Sequence, residues 1–164
     1  MEIIKEILNN RSQELSGKTI DRNEVYLLIE QLQIPNLIDV LSVLSEYPLC
    51  GCSFSTPEDN ESIDYDESKI EIDFQWMNTS QILSEALDCY PGKVALKLGY
   101  IPIGMCVIGS GDYYYLKIEN ETRKDPPLVR IFHDELDNNM DFTKDAVKVV
   151  SAKLSTFLQS AEIY

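Results

Sequence analysis

The sequence is poor in the side chains that metal centres and nucleophilic enzymes use most often. It has one histidine, His133, and four cysteines in 164 residues. The cysteines are Cys50, Cys52, Cys89 and Cys106. The Cys-Gly-Cys spacing of the first two is not Cys-x-x-Cys, and no histidine or second cysteine pair completes a zinc-binding set. We therefore predict reduced thiols, no metal and no cofactor.

His133 is the best single candidate for acid–base chemistry, because histidine serves in that role most often, and Asp134 follows it directly. It stands at the end of an apolar segment, however, on the same side as Val129 and Ile131. That position favours a partly buried structural histidine. A cysteine–histidine nucleophile pair remains the alternative, although nothing local marks any cysteine as activated. We predict no catalytic residue and a protein that is not an enzyme.

Long apolar runs are also missing. No stretch approaches the roughly 18 to 20 apolar residues that a membrane-spanning helix needs. The first eight residues, Met-Glu-Ile-Ile-Lys-Glu-Ile-Leu, have neither the basic start nor the long apolar centre of a signal peptide. The prediction is a cytoplasmic protein that does not enter a membrane.

Basic residues are half as numerous as acidic ones. Fourteen lysines and arginines stand against 28 aspartates and glutamates, which gives a formal net charge of −14. Such a chain repels phosphate backbones, so direct binding to nucleic acid is not expected. It attracts a basic protein and accelerates the encounter with it. Solubility alone is the alternative explanation for this charge.

The segment that best indicates the fold is residues 99–134. Ile101–Ile108 is almost wholly apolar and predicts a buried strand. Gly109–Asp112 supplies turn residues at the point where a hairpin must reverse. Tyr113–Ile118 alternates and predicts a second strand, and Leu128–His133 predicts a third. We therefore predict one α+β domain over residues 1–164, in which an antiparallel curved sheet with a meander at about 100–133 is packed by N-terminal helices and a C-terminal helix.

The remaining elements follow from capping residues and apolar spacing. Asp21 with Glu24, and Asn78 with Gln81, have the spacing of residues that cap a helix N-terminus. The expected helices cover residues 2–9, 22–34, 35–47 and 79–90, and a last helix begins at Asp141 or Thr143 and continues to Ala161 on the apolar stripe Ala146, Val150, Leu154 and Phe157. The expected additional strands are 49–55, at an edge of the sheet, and 70–76, whereas residues 93–98 fit a strand or a helix equally well.

An acidic stretch at residues 56–69 is the first candidate binding surface. It does not fit a calcium-binding EF-hand loop, because a lysine, Lys69, stands where that loop needs glycine. Its alternatives are a solvated loop and a docking surface for a basic partner. The candidate contact residues in it are Glu58, Asp59, Glu61, Asp64, Asp66 and Glu67.

The second candidate surface combines tyrosines and acids of the meander. Tyr113 and Tyr115 fall on one face of their strand, and exposed tyrosines are favoured interface residues. Cross-strand aromatic packing is the alternative. Asp134 and Glu135 add negative charge after the third strand, and both are included as candidate partner contacts. The Gly-Ser-Gly turn at 109–111 precedes a strand rather than a helix, so it does not indicate a phosphate-binding loop.

The order of these motifs resembles the SUKH superfamily, which takes in fungal regulators of cell-wall synthesis and many bacterial immunity proteins. The resemblance covers about residues 99–160 and includes Asp-Phe-Thr at 141–143. It implies a non-catalytic immunity protein that binds and neutralises a cognate toxin, often a nuclease. The acidic stretch matches no motif of the family, so the resemblance assigns no contact residue. The motif residues, to which it gives a structural role, are Ile101, Pro102, Ile103, Gly104, Gly109, Gly111, Asp112 and Tyr113.

Two other classes remain open from the residues alone. A hydrolase could use two carboxyl groups at a set separation, and with 28 acidic residues no pair stands out. A regulatory protein that binds a small ligand is the other alternative. A deep pocket around a carboxyl group of raised pKa would favour these classes, whereas a flat acidic face with exposed tyrosines would favour protein binding.

Overall fold

The structure is a computed structural model that describes residues 1–34, 37–55, 73–119, 124–135, 142–143 and 145–164. Helices and strands together make an α+β fold, as predicted. The helices in these ranges are α1 Glu2–Asn10, α2 Arg22–Leu32, α3 Ile38–Glu46, α4 Thr79–Leu87, α5 Gly92–Lys97 and α6 Leu154–Ser160. The strands are β1 Ser53–Ser55, β2 Asp73–Trp76, β3 Tyr100–Cys106, β4 Tyr113–Lys117, β5 Leu128–Ile131, β6 Val147–Ser151 and β7 Glu162–Ile163.

The seven strands in the described ranges belong to one curled sheet in the order β6-β5-β4-β3-β2-β1-β7. Every pairing between neighbouring strands is antiparallel. The predicted meander is therefore confirmed as β3, β4 and β5. Its first turn uses glycine as expected, because Gly109 and Gly111 both adopt positive φ angles, of 82° and 80°.

The sheet separates two apolar cores. The larger core lies between one face of the sheet and the helices α1, α2, α3, α4 and α6, and its centre is aromatic. The ring of Phe74 stacks on that of Phe54 at 5.3 Å and contacts that of Tyr114 at 5.0 Å between centroids. The smaller core covers the opposite face and consists of Ala95 of α5 with Tyr115, Val129 and Ile131. Both faces of β4 and β5 are therefore buried.

Both predicted N-caps are confirmed. The side chain of Asp21 accepts hydrogen bonds from the backbone N–H groups of Asn23 and Glu24, and the side chain of Glu24 accepts one from the backbone N–H of Asp21. Asn78 and Gln81 form the same reciprocal pair at the start of α4. The ambiguous residues 93–98 lie almost entirely in α5.

The predicted last helix is wrong in its first half. Val147–Ser151 forms the edge strand β6, and only Leu154–Ser160 is helical. The reason is that this valine-rich segment pairs with β5, with Val147 opposite Ile131 and Val149 opposite Val129. The first candidate cap, Asp141, lies outside the described residues.

The predicted edge position of the strand at 49–55 is also wrong. Only Ser53–Ser55 is extended, and β7 pairs with it on its outer side. The C-terminal residues of the chain therefore turn β1 into an interior strand. The predicted strand at 70–76 is observed as Asp73–Trp76, and its first three residues lie outside the described ranges.

Candidate functional site

One end of the sheet collects the connections in which the predicted partner contacts lie. Ser55 pairs with Asp73 at this end, Met105 with Tyr113, and Ile131 with Val147. The strand ends that flank residues 56–72, 107–112 and 132–146 therefore all lie at the same end of the sheet. We call the described part of it, Asp73, Val107–Asp112 and Phe132–Glu135, the acidic end.

Asp112 organises the acidic end. Its side chain is only 4% exposed, and both carboxylate oxygens are occupied. Oδ2 accepts hydrogen bonds from Nη2 of Arg130 at 2.6 Å and from Nε at 3.1 Å. Oδ1 accepts one from the backbone N–H of His133 at 3.1 Å and lies 2.9 Å from Nδ1 of its ring. One carboxylate thus joins the hairpin turn to the end of β5 and to the connection that follows it.

Arg130, the cationic partner of Asp112, is also buried and has several contacts. Arg130 is 8% exposed, and its Nη2 also donates to Oγ of Ser110 at 3.1 Å. Its guanidinium lies 5.0 Å from the ring centroid of Phe132 and 5.8 Å from that of Tyr114. Because each charge has a close opposite charge and further polar partners, the buried pair is compensated.

The surroundings of Asp112 keep it ionised. Burial alone would raise the pKa of its carboxyl group, but the hydrogen bonds from His133 and Arg130 outweigh burial and hold that pKa below its ordinary value. A carboxylate in this state accepts hydrogen bonds and cannot donate a proton near neutral pH. Its arrangement is that of a structural brace.

His133 belongs to the same brace. Its side chain is 47% exposed, which is more open than the partly buried histidine that we predicted. Its ring lies against Gly111, where an added Cβ would come within 3.3 Å of Cε1. The His133 ring therefore packs on the solvent side of the turn that contains Gly111.

Asp112, His133 and Asp134 also have donor atoms within 4.8 Å of one another, which is close enough for a cation. The guanidinium of Arg130, however, already supplies the positive charge beside Asp112 and occupies its Oδ2. A metal ion would have to share this carboxylate with a buried arginine. The donor set fits an ion pair better than it fits a metal centre.

A second buried carboxyl group lies on α4. Glu85 is 2% exposed, and its Oε1 accepts hydrogen bonds from the hydroxyl of Tyr115 at 2.7 Å and from the backbone N–H of Gly92 at 3.0 Å. Its Oε2 has no hydrogen-bond partner within the ranges that the structure describes. Burial raises the pKa of this carboxyl group despite those two hydrogen bonds. Sequence reasoning missed Glu85, since nothing in its helix distinguishes it from an exposed glutamate.

Tyr115 requires a correction, because we predicted it as an exposed partner contact and it is completely buried. The reason is that α5 covers this face of β4 and its ring lies in the smaller core. Tyr113, on the same face, is half-buried. Tyr115 packs against Ala95, Val129 and Ile131, and the ring of Tyr114, on the opposite face, contacts that of Phe74.

The other predicted residues fall into three groups. Asp134 and Glu135 are exposed at the acidic end. The six acidic candidates between 58 and 67 lie outside the described residues. Of the motif residues, Ile101, Pro102, Ile103, Gly104 and Asp112 are buried, and Gly109 and Gly111 are exposed in the turn.

None of the helices in the described ranges has the length and apolar character needed to cross a bilayer. No family model, curated protein or solved structure matches this chain. The fold and the geometry of the acidic end are therefore the structural basis on which a function is argued.

Proposed function

We propose that this chain is a non-catalytic protein-binding module, and specifically an immunity protein that binds and neutralises a basic toxin domain of the nuclease type. The observation that carries the proposal is the concentration of negative charge at one end of the sheet. Ser55 and Asp73 pair at that end, and the sequence between them contains seven acidic residues and one lysine. Asp134 and Glu135 add two exposed carboxylates there.

The physical mechanism is occlusion. A nuclease needs positive charge where it holds phosphate, and a surface rich in carboxylates competes for the same lysines and arginines. Complementary charge also accelerates the encounter, an effect that weakens as salt rises. The resemblance to the SUKH superfamily supports the same class of function.

A carboxylate-based hydrolase has weaker support. Both oxygens of Asp112 are engaged, which leaves this carboxylate no free lone pair directed at a substrate. Glu85 has the raised pKa of a general acid, but it is sealed from solvent between α4, α5 and β4. A general acid or base must come within hydrogen-bond reach of its substrate.

The test is capture from the native host with a tagged chain, washed at low and then at high salt. We expect a basic protein to be retained and to elute as salt rises. The variant D64K/D66K/E67K should lose it. The control E2K/E6K/E30K changes the net charge by the same amount on exposed residues of α1 and α2. This control should still retain the basic protein. Retention of nothing basic, or equal loss with both variants, would refute the proposal.

A further inference from the structure

The turn between β3 and β4 exposes two large apolar side chains. Val107 is 48% and Ile108 is 62% exposed, although the apolar run that contains them predicted a strand buried along its whole length. β3 ends at Cys106 instead, so the last two residues of the run project from the acidic end. A single exposed apolar residue is ordinary, whereas adjacent ones form a small apolar patch, and exposed apolar patches are candidate contact surfaces.

This turn is held on both sides. The backbone N–H of Val107 donates to the carbonyl of Asp73 at 3.1 Å, and that of Cys106 donates to the carbonyl of Asp112 at 3.1 Å. Hydrogen bonds from Arg130 and His133 then hold Asp112 from the β5 side. Because the turn is already fixed, binding of a partner to Val107 and Ile108 would lose little conformational entropy.

Charge selects the occupant of this apolar tip. Asp73 lies beside Val107 on one side, and on the other the turn contacts His133, which is followed by the exposed Asp134 and Glu135. A second copy of the chain would bring the same carboxylates against them, and nucleic acid or an anionic membrane would be repelled. A basic protein with an apolar recess between its cationic side chains is complementary to both features.

We propose that Val107 and Ile108 are the apolar anchor of the partner-binding surface, and that they insert into such a recess at the centre of a ring of charge pairs. This inference rests on the proposed function and adds where the partner docks. Buried apolar anchors at the centre of an interface carry much of its binding energy, whereas charged residues at the rim mainly set the rate and the salt dependence.

The test uses the basic protein retained in the capture experiment, purified and titrated calorimetrically against the full chain. I108S should bind roughly tenfold or more weakly. Its loss should be similar at low and high salt, because an apolar contact is not screened. The matched control L27S removes an exposed leucine from α2 and should bind like the wild type. Unchanged thermal midpoints would show that both variants are folded.

The outcomes separate the anchor from the proposed function. If the wild type retains the basic protein and I108S binds it as tightly, the anchor is refuted and the proposed function stands. If L27S weakens binding as much as I108S, the site is not confined to this turn and the anchor is again refuted. If the wild type retains nothing basic, the proposed function fails and the anchor fails with it.

Discussion

Replacing Asp112 with asparagine tests whether the ion pair at the acidic end is the brace that its geometry indicates. Asparagine keeps the size of the side chain and removes its charge. Arg130, at 8% exposure, is then left without its counter-charge. Removal of one partner from a buried pair costs about 3–5 kcal/mol. Arg130 keeps Ser110 and two aromatic rings, so we expect the lower end, about 3 kcal/mol.

The assay is urea unfolding at neutral pH, supported by thermal unfolding. For a chain of this length a loss of about 3 kcal/mol lowers the thermal midpoint by roughly 6–12 °C. The control D134N changes an exposed neighbour and should stay within about 0.5 kcal/mol of the wild type. A cost below about 1 kcal/mol for D112N would refute the assignment of Asp112 as a brace, since a buried arginine cannot lose its counter-ion so cheaply.

The same variant makes a prediction about pH. The pKa of Asp112 is lowered in the folded protein, so its ionised form stabilises the fold at pH values above about 3.9, the ordinary value. That stabilisation disappears as the pH falls through the lowered folded pKa. The stability difference between wild type and D112N should therefore be constant near neutrality and shrink below about pH 4. A difference that stays constant into acid would contradict the cause that we assign to the shift.

Three further predictions concern single residues. Burial raises the pKa of Glu85 in the folded state, so E85Q should gain stability over the wild type as the pH rises from about 4. Urea unfolding at a series of pH values measures this difference. A difference that does not change with pH would contradict the raised pKa. Y115F removes the hydroxyl that donates to Glu85 and should lower the free energy of unfolding by about 1–2 kcal/mol in the same assay. An unchanged free energy would show that this hydrogen bond does not stabilise the fold. G104A should cost about 1–3 kcal/mol, because the new Cβ would lie 2.1 Å from Phe74 Cδ2. Thermal unfolding followed by circular dichroism measures this cost, and an unchanged midpoint would contradict the close contact.

Local features were predictable because a few adjacent residues determine them. Asp21 caps α2 because its side chain reaches backbone groups two and three residues away. Gly109 and Gly111 form the turn because they adopt positive φ, which other residues rarely do. Alternation along β4 placed Tyr114 and Tyr115 on opposite faces for the same local reason.

The same kind of pattern failed where two structures satisfy it. The spacing of Ala146, Val150 and Leu154 fits a helix, yet Val147–Ser151 pairs with β5 and becomes a strand. The burial of Tyr115 likewise depends on α5, which covers a face that we expected to meet solvent. Periodicity describes one segment at a time, and these outcomes depend on what a distant segment offers it.

The sequence by itself determined the α+β class, the meander, the caps and the strong negative charge, since each depends on short-range spacing or on composition. Tertiary structure alone decided that Asp112, Arg130 and His133 meet, across separations of 18 and 21 residues. It also decided that the connections rich in carboxylates leave the sheet at one end, because antiparallel pairing brings alternate connections to the same side. The site is a property of the strand order, and no local pattern contains that order.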